Sequence, residues 1–158
     1  MRDDSRVTVD FRPADAGAAP AVELVSAMWE EIQAMYPRIG NEEGPSATPD
    51  DFSPPGGGFL VGWDGDRPVA GGGLKRLEDG AAEIKRMYVA QEVRGAGVGR
   101  ALLAALEDHA RALGYGVVRL DTGRFQPSAL RMYQQAGYRP IADYNGNPYA
   151  SFWGEKTL

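Results

Sequence analysis

The run VRGAGVGR, Val93 to Arg100, puts three glycines and two arginines into eight residues and leads straight into the leucine-rich ALLAALEDHARALG. Glycines that bring consecutive main-chain N–H groups to the positive end of a helix dipole form a site for phosphate, and side chains would block the approach. The run is not a P-loop, because Gly-Lys-Ser/Thr is missing. It also departs from the Rossmann G-x-G-x-x-G, because after Gly95 and Gly97 the third glycine position holds Arg100. The expected ligand is a nucleotide other than ATP or NAD; for such a loop standing alone, the alternative is a glycine turn that eases helix packing. Other chemistries lack their groups. Cys 0 and His 1 exclude a thiol nucleophile and a cysteine or histidine metal site, so no metal is expected. A Ser-His-Asp hydrolase would need His109, which lies well down the helix from the loop, and the G-x-S-x-G elbow is absent.

Charge sharpens this picture. Residues 1–84 carry 16 acidic and 7 basic side chains, whereas residues 85–139 carry 4 and 9, although the whole chain has a net charge of −5. A basic island beside an acidic half suits one anionic partner, and it opposes nucleic acid, whose phosphates would meet the acidic half badly. A solvated surface of mixed charge is the alternative. No apolar run is long enough to span a membrane, and the N-terminal MRDDSRVTVD lacks the basic and apolar regions of a signal peptide. A soluble cytoplasmic protein is expected, with all 158 residues in one domain.

The elements that must position the loop follow from periodicity. RVTVDFRP alternates as a half-buried strand closed by Pro13, and Pro20 to Tyr36 repeats apolar residues at three and four: Val22, Val25, Met28, Trp29, Ile32, Met35 and Tyr36. Pro37 ends that helix, and Arg38 to Gly58 reads as a long loop with one helical turn. FLVGW and RPVAGGGLKRL flank a DGD hairpin turn, and AAEIKRMYVA is a third strand. Strict alternation puts Ile84, Arg86 and Tyr88 on one face of that strand and Glu83, Lys85, Met87 and Val89 on the other. Charge on both faces predicts an open site at the strand's start. The next helix buries Val98, Leu102, Leu103, Leu106, Ala110 and Leu113, leaves Glu107 and Arg111 paired on its wet side, and is capped by Gly114. GVVRLDT is a buried strand, PSALRMYQQAG a short helix, and YRPIADY and SFWGEKTL are closing strands. The order predicts an α/β layer with one βαβ crossover around the glycine loop.

VRGAGVGRALL resembles the R/Q-x-x-G-x-G/A signature of the GNAT superfamily of acyl-CoA-dependent N-acyltransferases, with Arg94, Gly97 and Gly99 in the signature positions. EIKRMYV before it and ALRMYQQAGY after it resemble the family's other two blocks, so the likeness covers residues 81–139. The resemblance implies a mixed, mostly antiparallel sheet of about seven strands flanked by about four helices. It also implies acetyl-CoA as the acyl donor, with the amides of Arg94, Gly95, Ala96, Gly97, Val98, Gly99 and Arg100 on its pyrophosphate. The backbone of Met87, Tyr88 and Val89 would bond the pantetheine arm like an added strand, and main chain near Val89 would face the thioester oxygen where the strand splays from VVRLDT.

Tyr133 matches the family's tyrosine beside the sulfur, a general acid, with helix packing as its alternative. Glu83 matches a glutamate that deprotonates the ammonium directly or through water, with a solvated strand-end charge as its alternative. Gln126 stands where many relatives carry asparagine, in front of the Ala129 to Tyr133 block, where Met132 replaces leucine. The acceptor wall maps to Trp29, Tyr36, the Arg38–Gly58 loop, Tyr144 and Phe152. With Glu42, Glu43, Asp50 and Asp51 in that loop, the expected acceptor is a small cationic amine. A non-catalytic acyl-CoA-binding or regulatory module is the competing reading, since fold does not fix function. Monomer and homodimer both stay open, the PYASFWGEKTL end being able to pair at a sheet edge.

Overall fold

The computed structural model describes residues 7–36 and 47–158. Seven strands and three α-helices follow in the order β1 (Asp10–Pro13), α1 (Ala21–Met35), β2 (Gly58–Asp64), β3 (Arg67–Arg76), β4 (Ala82–Val89), α2 (Val98–Ala112), β5 (Val117–Gly123), α3 (Pro127–Gln135), β6 (Arg139–Pro140) and β7 (Ala150–Thr157). Short 3₁₀ turns at Pro49–Phe52 and Gln91–Val93 complete the set, so the described residues hold three α-helices where about four were expected. The strands form one sheet in the order β1-β2-β3-β4-β5-β7-β6. Only β4 and β5 pair in parallel, joined by the α2 crossover. Among the described residues no helix is long and apolar enough to cross a membrane, and no group of three metal-ligating side chains comes together.

The hairpin between β2 and β3 turns at Gly65, whose φ of 61° suits a tight turn without a side chain. Further along β3, Gly71, Gly72 and Gly73 let both layers lie directly on the strand. A Cβ on Gly72 would stand 2.8 Å from Leu106 of α2, and one on Gly73 2.5 Å from Phe52 of the 3₁₀ turn. The α2 face reads largely as predicted: Val98, Leu102, Leu103, Leu106 and Ala110 are buried, Leu113 is only partly buried, and Gly114 follows in the left-handed region. Burying each of its leucines contributes about 1.5–3 kcal/mol, so α2 is fixed firmly over β3 and β4.

Three further expectations about these elements differ from the structure. In α1 the buried stripe is Ala21, Leu24 and Met28, with Val22, Trp29 and Met35 about two-fifths exposed. The narrow side chains win the inner face because Leu24 nestles against Gly71, 3.2 Å from the place of its missing Cβ. Glu107 is buried instead of wet: it accepts from the Tyr138 hydroxyl at 2.8 Å and from Lys156 Nζ at 3.0 Å, and Arg111 pairs with Asp108. The closing strand YRPIADY shrinks to Arg139–Pro140, because Pro140 has no N–H for the ladder and Asp143 starts a turn, accepting from the N–H groups of Asn145 and Gly146.

Candidate active site

The site begins where the parallel ladder stops. Strands β4 and β5 pair only at Ala82 with Val118 and Glu83 with Arg119, after which the side of β4 that faces β5 has no ladder partner. One step further, Arg86 takes a φ of 59° and the register with β3 slips, so that Arg86 and Met87 together oppose Gly72. This bulge corrects the strict alternation expected for β4. Ile84 and Met87 both lie on the α2 side, Met87 Cγ standing 3.3 Å from the place of a Gly72 Cβ. Glu83, Lys85 and Tyr88 take the opposite face, and the Arg86 guanidinium crosses to the carbonyl of Ala47 and stacks 5.0 Å from the Phe52 ring centroid.

Beyond β4 the chain turns through Gln91–Val93 into the glycine loop. Arg94 ties the loop back: Nε donates to the Val89 carbonyl at 2.8 Å, Nη2 to Glu31 of α1 at 2.6 Å, and the guanidinium lies 5.6 Å from the Tyr88 ring. Gln91 Nε2 donates to the other oxygen of Glu31 at 2.8 Å. The hydrogen bond from Arg94 holds the Glu31 carboxyl below its ordinary value. Gly95 and Gly97 have φ of 84° and 83°, and nothing lies within 4 Å of where a Cβ would stand on either. The start of α2 has no acidic residue and no side-chain cap, so among the described residues no carboxylate meets the N–H groups after Gly97. Ala96 is exposed and Val98 is buried under the loop. Gly99 approaches Met132 of α3, a Cβ there falling 3.3 Å from its sulfur, and Arg100 donates to Gln135. A cradle of this shape and sign fits the pyrophosphate of a coenzyme A ester, and the unpaired side of β4 fits its extended arm.

Candidate acid and base stand on opposite faces of the splay. Tyr133 is buried on the α2 side with its hydroxyl 3.7 Å from Met87 Sδ; burial first, and the Asp121 charge second, push its phenol well above the usual range. It therefore keeps its proton. Glu83 is 3% exposed and accepts from the Tyr144 hydroxyl at 2.6 Å and from Asn145 Nδ2 at 3.1 Å, with Lys85 Nζ 3.4 Å from its other oxygen. Burial, then the Glu83 charge, raise the Tyr144 phenol strongly, so that it too stays a donor.

Several partners were missed by the sequence reading. Asn145 also donates to Asp121 at 2.5 Å and accepts from Trp153 Nε1 at 3.0 Å, and Asn147 donates to Asp121 at 3.4 Å. The dense turn formers of DYNGNPY were their only signal. Tyr36 and Tyr144 do reach this region, Tyr36 meeting Phe125 at 4.9 Å and Tyr149 at 6.0 Å between ring centroids. Two predicted wall residues do not join them. Trp29 sits on the outward side of α1, and Phe152 packs into the main core, because alternation along β7 sends Trp153 to the Asn145 side instead. Gln126 folds back to accept from Thr122 and Gly123 at 3.4 Å, while Ala129 packs against the core beneath α3. Glu42 and Glu43 lie outside the described residues.

Comparison with known proteins bears on the family and the fold. Residues 25–138 match the model of the Acetyltransferase (GNAT) family. The IAA acetyltransferase of Azospirillum brasilense is 38% identical over 84 residues, a stretch that is 51% of this chain and only 54% of that protein. A GNAT-family acetyltransferase from Staphylococcus aureus Mu50 superposes with a TM-score of 0.79 at 18% identity, over 96% of this chain and 99% of that one. Another, from Elizabethkingia anophelis with acetyl-CoA bound, does so with a TM-score of 0.66 at 17% identity, over 95% and 98%. At such identities the two structures speak for the fold.

Proposed function

The chain belongs to the GNAT family of acetyltransferases, and on that premise we propose that it moves an acetyl group from acetyl-CoA to the primary amine of a small molecule. The observation that carries this reading is the splay of β4 from β5 beside the open glycine cradle, with a buried carboxylate on one face of the gap and a buried phenol on the other.

Bound acetyl-CoA supplies the acyl thioester; the chain supplies everything else. The N–H groups from Gly95 to Arg100 would bind pyrophosphate oxygens, the Arg94 amide also expected there being paired instead with the Gln91 carbonyl at 3.2 Å; Arg94 keeps the loop folded against β4, and Met87 to Val89 present main-chain groups along the gap. Gln126 and Ala129 border the arm at the start of α3. Glu83 accepts a proton from the incoming ammonium, leaving a neutral amine with a free lone pair, and Tyr144 and Asn145 hold its carboxylate in place. Tyr133, with its proton secured by burial, would give it to the thioester sulfur as the amine nitrogen bonds the carbonyl carbon and the C–S bond breaks, and would regain a proton from the acylated nitrogen. The acidic pair Glu83 and Asp121 favours a cationic acceptor, and Tyr36, Tyr144, Phe125 and Tyr149 supply flat surface for its body.

The test is acetyl-CoA-dependent release of free thiol across small amines, amino acids, polyamines and aminoglycosides. The chain contains no cysteine, so a thiol reagent sees only liberated coenzyme. Release above the amine-free rate is the expected result. Silence across the panel, with acetyl-CoA still raising the melting temperature, would favour a non-catalytic acyl-CoA-binding module.

A further inference from the structure

We propose that Arg86 is a positioning residue with two separable parts: its backbone shapes the donor side of the site, and its side chain straps the acceptor-side segment Ala47–Phe52 onto β4. This rests on the reading of the β4 gap as the donor groove.

The backbone part follows from conformation. Among the described residues Arg86 is the one non-glycine residue with positive φ, at 59°. Left-handed backbone is unfavourable for an L-residue, so a glycine would serve the bulge better if only the bulge mattered. An arginine there has to be held by its side chain. That side chain is half-buried, donates to the Ala47 carbonyl, lies flat over Phe52 and faces the charge of Asp51. Each of these partners belongs to one segment. Its other fastenings are the capping box that Thr48 and Asp51 close around the Pro49–Phe52 turn and the apolar packing of Ala47 and Phe52, the latter filling the space left by Gly73 of β3. The Arg86 side chain adds a hydrogen bond from that segment to the residue that kinks β4. Lys85 of the same strand turns to Glu83, so the bulge is also where β4 divides between the candidate base and the strap.

The two parts separate in two variants. Arg86→Gly relieves the backbone and removes the strap; Arg86→Ala removes the strap and keeps the strain. Hydrogen exchange at the amides of Asp51, Ser53 and Gly57, which donate to Thr48, Asp50 and Ser53, reports the segment without any ligand. Calorimetry with acetyl-CoA reports the donor side. In Arg86→Gly these amides are expected to exchange at least tenfold faster, with acetyl-CoA affinity within threefold of wild type and exchange in α2 unchanged. In Arg86→Ala the segment opens equally and acetyl-CoA affinity also falls, by fivefold or more. Arg86→Lys, which keeps a cation near Asp51 and Phe52, is expected to restore part of the protection. Unchanged exchange in Arg86→Gly would overturn the strap, and equal acetyl-CoA affinity in the Gly and Ala variants would overturn the backbone part. Wild type that binds no acetyl-CoA would refute the donor groove and the backbone part with it, while exchange still decides the strap.

Discussion

The hydroxyl of Tyr144 donates to Glu83 Oε2 at 2.6 Å, across 61 residues of chain. So short a contact fixes the orientation of the carboxylate proposed to take a proton from the ammonium. Tyr144→Phe leaves Asn145 and Lys85 in place but removes the shortest of these contacts. In the variant, kcat/KM should fall several-fold, because the carboxylate is then held by Asn145 and Lys85 alone. Glu83→Gln should lower kcat/KM much further. An unchanged kcat/KM in Tyr144→Phe would separate the tyrosine from the base.

Tyr133 makes the opposite demand, since an acid must hold its proton. Burial keeps the phenol protonated beyond the range in which an exposed tyrosine ionises, so no alkaline decline from this group is expected near pH 10. Tyr133→Phe should lower kcat by about 10²–10⁴ while acetyl-CoA affinity stays within a few-fold. The pair of measurements distinguishes loss of an acid from loss of packing, because a cavity or shift under Met87 would weaken cofactor binding as well.

What could be read in advance was local. The glycine loop, the leucine face of α2 and the DGD hairpin each follow from residues adjacent in sequence. Alternation in β4 failed at Arg86, because the bulge arises from pairing with Gly71–Gly73 of β3 and leaves no mark in EIKRMYV itself. The inner face of α1 was misread in part: Met28 and Tyr36 are buried as the large apolar stripe suggested, whereas Gly71 on the facing strand makes room for Leu24. Asp121, Asn145 and Trp153 were invisible as site residues, since only the fold brings the 143–149 turn over the start of β4.

Glu31 provides a pH test of the loop clamp. Its folded carboxyl titrates below the ordinary 4.5, chiefly through the hydrogen bond from Arg94. A carboxyl depressed on folding contributes stability that is complete above the unfolded value and is lost as pH falls through the folded one. Wild type should therefore lose an increment of at most ~1 kcal/mol below pH 4.5, relative to Glu31→Gln, which lacks the titrating group. Parallel melting curves for the two proteins from pH 3 to pH 7 would show that the clamp contributes no stability.

Glu107 lies away from the chemistry and supports the helix that carries the loop. It is 6% exposed, bonded to Tyr138 and to Lys156, and so links α2 to the turn after α3 and to β7. Removing one member of such a pair leaves the other charge partly desolvated, which costs more than the pair contributes. Glu107→Ala should destabilise by about 2–4 kcal/mol, the lower end reflecting the partial exposure of Lys156. Replacing both residues with methionine should recover most of that loss, because no unpaired charge remains and the volume is filled. The check is a double-mutant cycle in urea at neutral pH. A double variant as unstable as Glu107→Ala would assign the loss to Tyr138, whose hydroxyl would then be the group left without an acceptor.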